Sequence, residues 1–171
     1  SSSLNSGNAT ILLSASSSGK TIGIGSLGSD ITISAAEFSR FASLGMVIGS
    51  NTAGPITIDG ISESDSDGVR GVLTISAVRD DTQVTFETTP STFNAIAVQS
   101  DNGIDVKADL TADTGFVYLD ADVDDSSSAD TESTLDLSDT CTLTASTLMT
   151  LECTTGMISA AGAVTMTAGN G

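Results

Sequence analysis

Apolar residues recur at every second position in short runs along almost the whole chain. The clearest runs are 9–14, 30–34, 55–61, 72–77, 83–87, 104–108, 116–120, 134–137, 141–145, 149–153 and 163–167. A period of two is that of a β-strand with one buried face. Ile31 and Ile33 share such a face, as do Ile56 and Ile58, Leu73 and Ile75, Val84 and Phe86, Val117 and Leu119, and Val164 and Met166. Gly, Asn, Asp and Ser fill the gaps between runs, as turns require. Two stretches break the pattern. Residues 35–41 place Phe38 and Phe41 three apart, the spacing of one helical turn, and 90–100 reads as either a strand or a short helix.

The recurrence of the runs carries more information than any one of them. Leu143, Leu151, Ile158 and Met166 follow at steps of eight, seven and eight residues. Such short, regularly turned strands predict an all-β chain built as a parallel β-helix, or β-solenoid. In that architecture each coil of about 20–30 residues gives two or three strands and the coils stack along one axis. The whole of 1–171 reads as one such segment. The alternative is an antiparallel β-sandwich, whose strands recur at similar spacing. Its hairpin signals are few: Asp59-Gly60, Asp67-Gly68 and Asn102-Gly103.

Composition favours the thinner core. There is no Trp, one Tyr and five Phe among 171 residues, and 39% of the chain is hydrophobic. Ile, Leu, Val, Ala and Met must therefore fill the interior without the aromatics that usually occupy the centre of a round domain. Thr and Ser then read as outward ladders along the stack.

Charge excludes several partners. Twenty-two acidic residues face five basic ones, a formal charge of −17. Nucleic-acid binding runs on Lys and Arg, and anionic membrane surfaces repel such a chain. No apolar run approaches the roughly 20 residues of a membrane-spanning helix, so direct membrane insertion is not expected.

Catalytic groups are scarce. The chain has no His, which removes the commonest general base. Gly23, Gly25 and Gly28 imitate a phosphate-loop spacing, but the segment reads as a strand and no helix follows. Paired carboxylates raise the reading of a polysaccharide-acting enzyme. Such sites need carboxylates at fixed separations and sugar-stacking aromatics, and Tyr118 is the only Tyr. The expectation is a non-enzyme with no cofactor, calcium being the one ion considered.

That ion is suggested by Asp120, Asp122, Asp124 and Asp125, followed by Ser126–Ser128 and Asp130. Acidic oxygens at alternate positions resemble the opening of a calcium loop. Gly is missing from the sixth place, and Glu132 falls one place late. A solvated acidic turn is the other reading. Asp65 and Asp67 form a weaker version. Asn8-Ala9-Thr10 is an N-glycosylation sequon, with Asn8 as acceptor.

The phrases Asp30-Ile31-Thr32-Ile33-Ser34, Glu37-Phe38-Ser39-Arg40-Phe41, Gly45-Met46-Val47-Ile48-Gly49-Ser50 and Gly54-Pro55-Ile56-Thr57-Ile58-Asp59-Gly60-Ile61 follow one another. This succession resembles the repeats of filamentous-haemagglutinin-type secreted proteins. Segments 92–122 and 140–169 are similar to repeats of very large surface proteins of marine microbes and algae. The resemblance implies a right-handed parallel β-helix in an exported structural or adhesive protein at the cell surface or beyond it. In an exported chain Cys141 and Cys153, both on inward faces, are expected to form a disulfide; a pair of small buried hydrophobes is the alternative.

Ser1-Ser2-Ser3-Leu4 lacks the basic and apolar regions of a signal peptide, and the chain stops just after a strand. A segment of a longer array is the expectation. Its partners are then further copies or neighbouring segments, joined end to end in a filament or appendage. An adhesin stalk or glycan-binding module is the alternative, with Phe38, Phe41 and Phe93 as the residues able to form an exposed aromatic cluster.

Overall fold

The computed structural model describes residues 2–25, 28–125 and 132–169. The chain opens with β1 (Leu4–Asn5), β2 (Thr10–Leu13), β3 (Ile22–Gly25) and β4 (Ile31–Ile33). A four-residue helix, α1 (Ala35–Phe38), precedes β5 (Phe41–Ala42), β6 (Gly45–Gly49) and β7 (Ile56–Asp59). A second, α2 (Glu63–Ser66), precedes β8 (Val72–Ala77), β9 (Val84–Phe86), β10 (Ser91–Phe93), β11 (Ala95–Ser100) and β12 (Ile104–Val106). Then come β13 (Leu110–Ala112), β14 (Val117–Asp120), β15 (Leu135–Leu137), β16 (Thr142–Ala145), β17 (Met149–Glu152), β18 (Ile158–Ala160) and β19 (Thr165–Ala168).

Every strand pairing among the described residues is parallel. The antiparallel sandwich is therefore not the fold. The three larger sheets run β17-β14-β11-β8-β6-β2, β18-β15-β12-β9-β7-β3-β4 and β10-β13-β16-β19. For brevity these are the first, second and third sheets. The chain visits them in rotation, so, apart from β3 and β4, which pair directly in the second sheet, strands adjacent in sequence lie in different sheets and strands adjacent in a sheet come from successive circuits. The small β1-β5 sheet precedes β2 and β6 as β13 and β16 precede β14 and β17.

Register sets the core. In the second sheet Ile22, Ile56, Val84, Ile104, Leu135 and Ile158 stand in one column. In the first sheet Leu13, Ile48, Ile75, Val98, Leu119 and Leu151 do the same. Inward residues of the three sheets meet in a single apolar cluster. A one-residue slip would turn a whole column to solvent, so the alternation fixes the register. Thr111, Thr144 and Thr167 stack on the outer face of the third sheet.

The helices interrupt this pattern for local reasons. Ser34 and Glu37 form a capping box on α1, the Ser34 N–H donating to Glu37 Oε2 at 2.9 Å. Phe38 is buried and meets Phe41 and Phe93 edge-on, with ring centroids 6.1 and 6.4 Å apart. The helical turn expected at 35–41 thus stops at Phe38, and Phe41 opens β5. Asp65 caps α2 in the same way, accepting from the Ser62 N–H at 3.1 Å. Segment 90–100 resolves into two strands, β10 and β11. At Gly49, φ is 102° and a Cβ would lie 2.2 Å from the Ser76 carbonyl oxygen, so only glycine lets these neighbouring circuits approach.

Candidate functional site: an acidic corner and two open ends

The acidic run leaves β14 and turns a corner between sheets. Asp120 is buried and Asp122 is 1% exposed, whereas Asp124 and Asp125 are exposed. Asp125 carries a positive φ of 55° at the turn. Tyr118 Oη lies 2.9 Å from Asp120 Oδ2 and 2.9 Å from Glu152 Oε2, so its proton serves two carboxylates. Burial, reinforced by those carboxylates, holds the phenol well above its usual pKa. Burial likewise raises Asp120, and the charges of Glu152 and Asp125 add to the effect. Asp122 Oδ2 accepts from the Thr155 N–H at 2.6 Å and from Thr155 Oγ1 at 2.7 Å. Its Oδ1 is buried with no donor among the described residues.

These geometries differ from a calcium loop. Asp120 is aimed at Tyr118 and Asp122 at Thr155, and among the described residues no three acidic or thiol side chains gather as metal ligands. Ser126–Ser128 and Asp130 lie outside the described residues. Asp65 of the weaker acidic run is engaged in capping α2.

The same chemistry recurs wherever the path bends. Asp59 Oδ1 accepts from the Thr89 N–H at 2.7 Å, Asp109 Oδ1 from Thr142 at 2.7 Å, and Asp139 Oδ1 from Ala163 at 2.9 Å. Asp101 Oδ2 takes the Asp81 N–H at 2.9 Å, and Asn102 Oδ1 takes those of Glu132 and Ser133. Each bond joins one circuit to its neighbour near the ends of strands, where the ladder runs out. Backbone donors there need partners, and a carboxylate is a strong one. Part of the acidity read from composition as surface repulsion is therefore structural. The sequence signal was the placement of Asp59, Asp109 and Asp139 beside strand ends.

Cys141 and Cys153 are free thiols, which corrects the expected disulfide. Cys141 stands before β16 and Cys153 after β17, at the far ends of consecutive strands in different sheets. Cys141 is buried, and Cys153 packs against the core and donates from Sγ to the Ser133 carbonyl. Burial raises both thiol pKa values. Asn8 is exposed before β2, and its Oδ1 accepts from Arg70 Nη2 at 3.2 Å. Phe38 and Phe93 are buried and Phe41 is half-buried, so the three do not form an exposed aromatic cluster.

The two ends of the stack differ from its middle. At one end β2, β4 and β1 are edge strands, and a hollow of about 440 Å³ opens beside Leu4, Leu13, Ile31, Ile33 and Phe41, with Glu37 and Arg40 on its lining. At the other, β17, β18 and β19 are edge strands, and Met157, Ile158 and Met166 are 63%, 49% and 47% exposed. Among the described residues no helix is long and apolar enough to cross a membrane. The chain matches no family model, and comparison with curated proteins and with solved structures returns no match.

Proposed function

We propose that this chain is a non-catalytic structural segment of an extracellular filament, appendage or surface protein, wound as a right-handed parallel β-solenoid. The observation that carries the reading is the unbroken column from Ile22 to Ile158 in the second sheet. Register partners on successive circuits lie about 19 residues apart at the closest (Ser91 and Leu110) and about 37 at the widest (Leu4 and Phe41), close to the range of stacked repeats. Right-handedness follows from the strong preference of parallel crossovers for that hand.

A stack of this kind supplies stiffness and length. Each circuit holds its neighbours through ladder bonds, an apolar column and the turn carboxylates, so load passes from circuit to circuit. The hollow beside Leu4 and Phe41 is apolar and lies at an end, and Asp120 and Asp122 each accept from a donor of their own chain. These features support a mechanical role over a catalytic one. The acidic surface, the exposed Asn8 sequon and the resemblance to haemagglutinin-type repeats support a place outside the cell. The neighbours in this reading are further copies or adjoining segments of a longer chain.

Immunogold labelling of intact cells that express the chain tests the assignment. Label along surface fibres or appendages is the expected result. Label confined to the cell interior would contradict it.

A further inference from the structure

Tyr118 is the single Tyr of the chain, which has no Trp. Its hydroxyl touches acids of two successive circuits. Asp120 on β14 and Glu152 on β17 are register partners, and Tyr118 Oη lies 2.9 Å from an oxygen of each. A phenol hydroxyl donates one hydrogen and accepts through its lone pairs. While both acids are ionised, the two contacts share that single hydrogen. One added proton removes the shortfall. Carried on Asp120 Oδ2, it donates to Tyr118 Oη, and Tyr118 Oη donates to Glu152 Oε2. The run from Asp120 through Tyr118 to Glu152 then ties β14 to β17.

The surroundings favour the protonated form. Asp120 is buried, which disfavours its charge. Hydrogen bonds from Tyr118 and from the Asp122 N–H, the latter at 3.3 Å, act the other way, while the charges of Glu152 and Asp125 add to burial. The balance holds the Asp120 carboxyl above the usual carboxylate range. On the opposite side, β11 contributes Gln99, the neutral register partner of Asp120. Asp101, just after β11, takes the Asp81 N–H. Asp122 is turned to Thr155, Asp124 is exposed in the turn, and Cys153 beside Glu152 is a free thiol with a raised pKa.

The basic side chains lie elsewhere. Lys20 pairs with Asp30 and Lys107 with Glu87. Arg70 reaches Gly7 and Asn8, Arg79 reaches the Ala53 carbonyl, and Arg40 lines the hollow beside Leu4. A proton, not an ammonium or guanidinium group, is what this corner has available to relieve its paired acids.

We propose that the corner is a pH-sensitive strap: Asp120 and Glu152 together hold one proton on Tyr118 in mildly acidic solution, and its loss towards neutral pH loosens β17. The two acids titrate as a unit, so the step belongs to the pair. A proton held more tightly in the folded chain stabilises it below the folded pKa, and the benefit fades as pH rises through that value.

The test is an NMR titration of the whole chain isotope-labelled at the Tyr Cζ carbon, which gives one resonance because Tyr118 is the only Tyr. The resonance is expected to move in one single-proton step centred above about pH 4.3, the ordinary value for a Glu carboxyl. Asp120→Asn and Glu152→Gln are each expected to abolish that step, since either leaves one ionisable acid on the phenol; Glu152 is exposed, so its variant carries the comparison if Asp120→Asn does not fold. Amide exchange reads the strap itself. The Ala121 N–H donates to the Glu152 carbonyl at 3.0 Å, and its protection, corrected for the intrinsic effect of pH, is expected to fall several-fold above the step. A resonance that stays still above about pH 4.3, a step that both variants retain, or equal Ala121 protection on its two sides would overturn the strap. None of these results bears on the surface location, which the labelling experiment decides.

Discussion

Asp122 and Thr155 belong to successive circuits, and the Asp122 carboxylate takes both the backbone N–H and the hydroxyl of Thr155, at 2.6 and 2.7 Å. The pair ties a corner of the stack where no strand ladder runs. Asp122→Ala leaves the Thr155 N–H without its acceptor and is expected to cost about 1–3 kcal/mol. Asp109→Ala removes a similar bond to Thr142 at an exposed site, where water substitutes, and is expected to cost about 1 kcal/mol or less. Chemical denaturation of both variants measures the difference; equal effects would mean that burial of the corner does not govern its strength.

Stability near neutral pH should rise when one outward carboxylate is neutralised. Asp105 and Asp136 are register partners on the second sheet. Burial raises the Asp105 pKa, Lys107 opposes that, and Asp136 adds to it. A raised carboxyl binds its proton more tightly in the folded state, so its ionisation disfavours folding as pH climbs through the folded pKa. Asp105→Asn is therefore expected to melt higher than wild type at pH 7. The advantage should vanish below about pH 3.9, where the unfolded carboxyl is also protonated. Melting curves from pH 3 to 8 check it; an advantage that persists in acid would point to a cause other than ionisation.

The thiols should be separate and slow to react. Cys141 is buried, Cys153 is half-buried, and both have raised pKa values. Mass spectrometry of unreduced chain after alkylation under native conditions is expected to find Cys153 labelled first and no Cys141–Cys153 bridge. A bridged peptide would restore the disulfide reading.

Calcium must compete with existing bonds to bring Asp120, Asp122, Asp124 and Asp125 together. Tyr118 and Thr155 already engage the first two. Millimolar calcium is therefore expected to raise the melting temperature no more than sodium of equal ionic strength. A calcium-specific rise would show that the ion rearranges the corner and binds there.

Much of the architecture was legible because its strongest constraint is local. Alternation placed Ile56 and Ile58, Leu73 and Ile75, and Val117 and Leu119 correctly on inward faces. The steps from Leu143 to Met166 proved to be one circuit, since those two residues are register partners. Parallel pairing was expected, and it is what the strands show. Other features depend on neighbours distant in sequence. The helix α2 arises from four polar residues whose only signal was Ser62 set three places before Asp65. The outward pairing of β4 leaves no mark on its own residues, because Ile31 and Ile33 would alternate identically in any sheet position. Spacing alone grouped the carboxylates of 120–125, but the corner turns Asp120 and Asp122 towards different donors. The cysteines share inward facing yet sit on diverging strands, and facing was all that the sequence displayed.

The most direct test of the stacked parallel coils is solution NMR of the wild-type chain, read through contacts between backbone protons of neighbouring strands. Ile104 is expected to meet Val84 on one side and Leu135 on the other, and Val106 to meet Phe86 and Leu137, the sense of parallel neighbours. Contacts in the opposite sense, Ile104 with Leu137 and Val106 with Leu135, would make the pairing antiparallel and contradict the account.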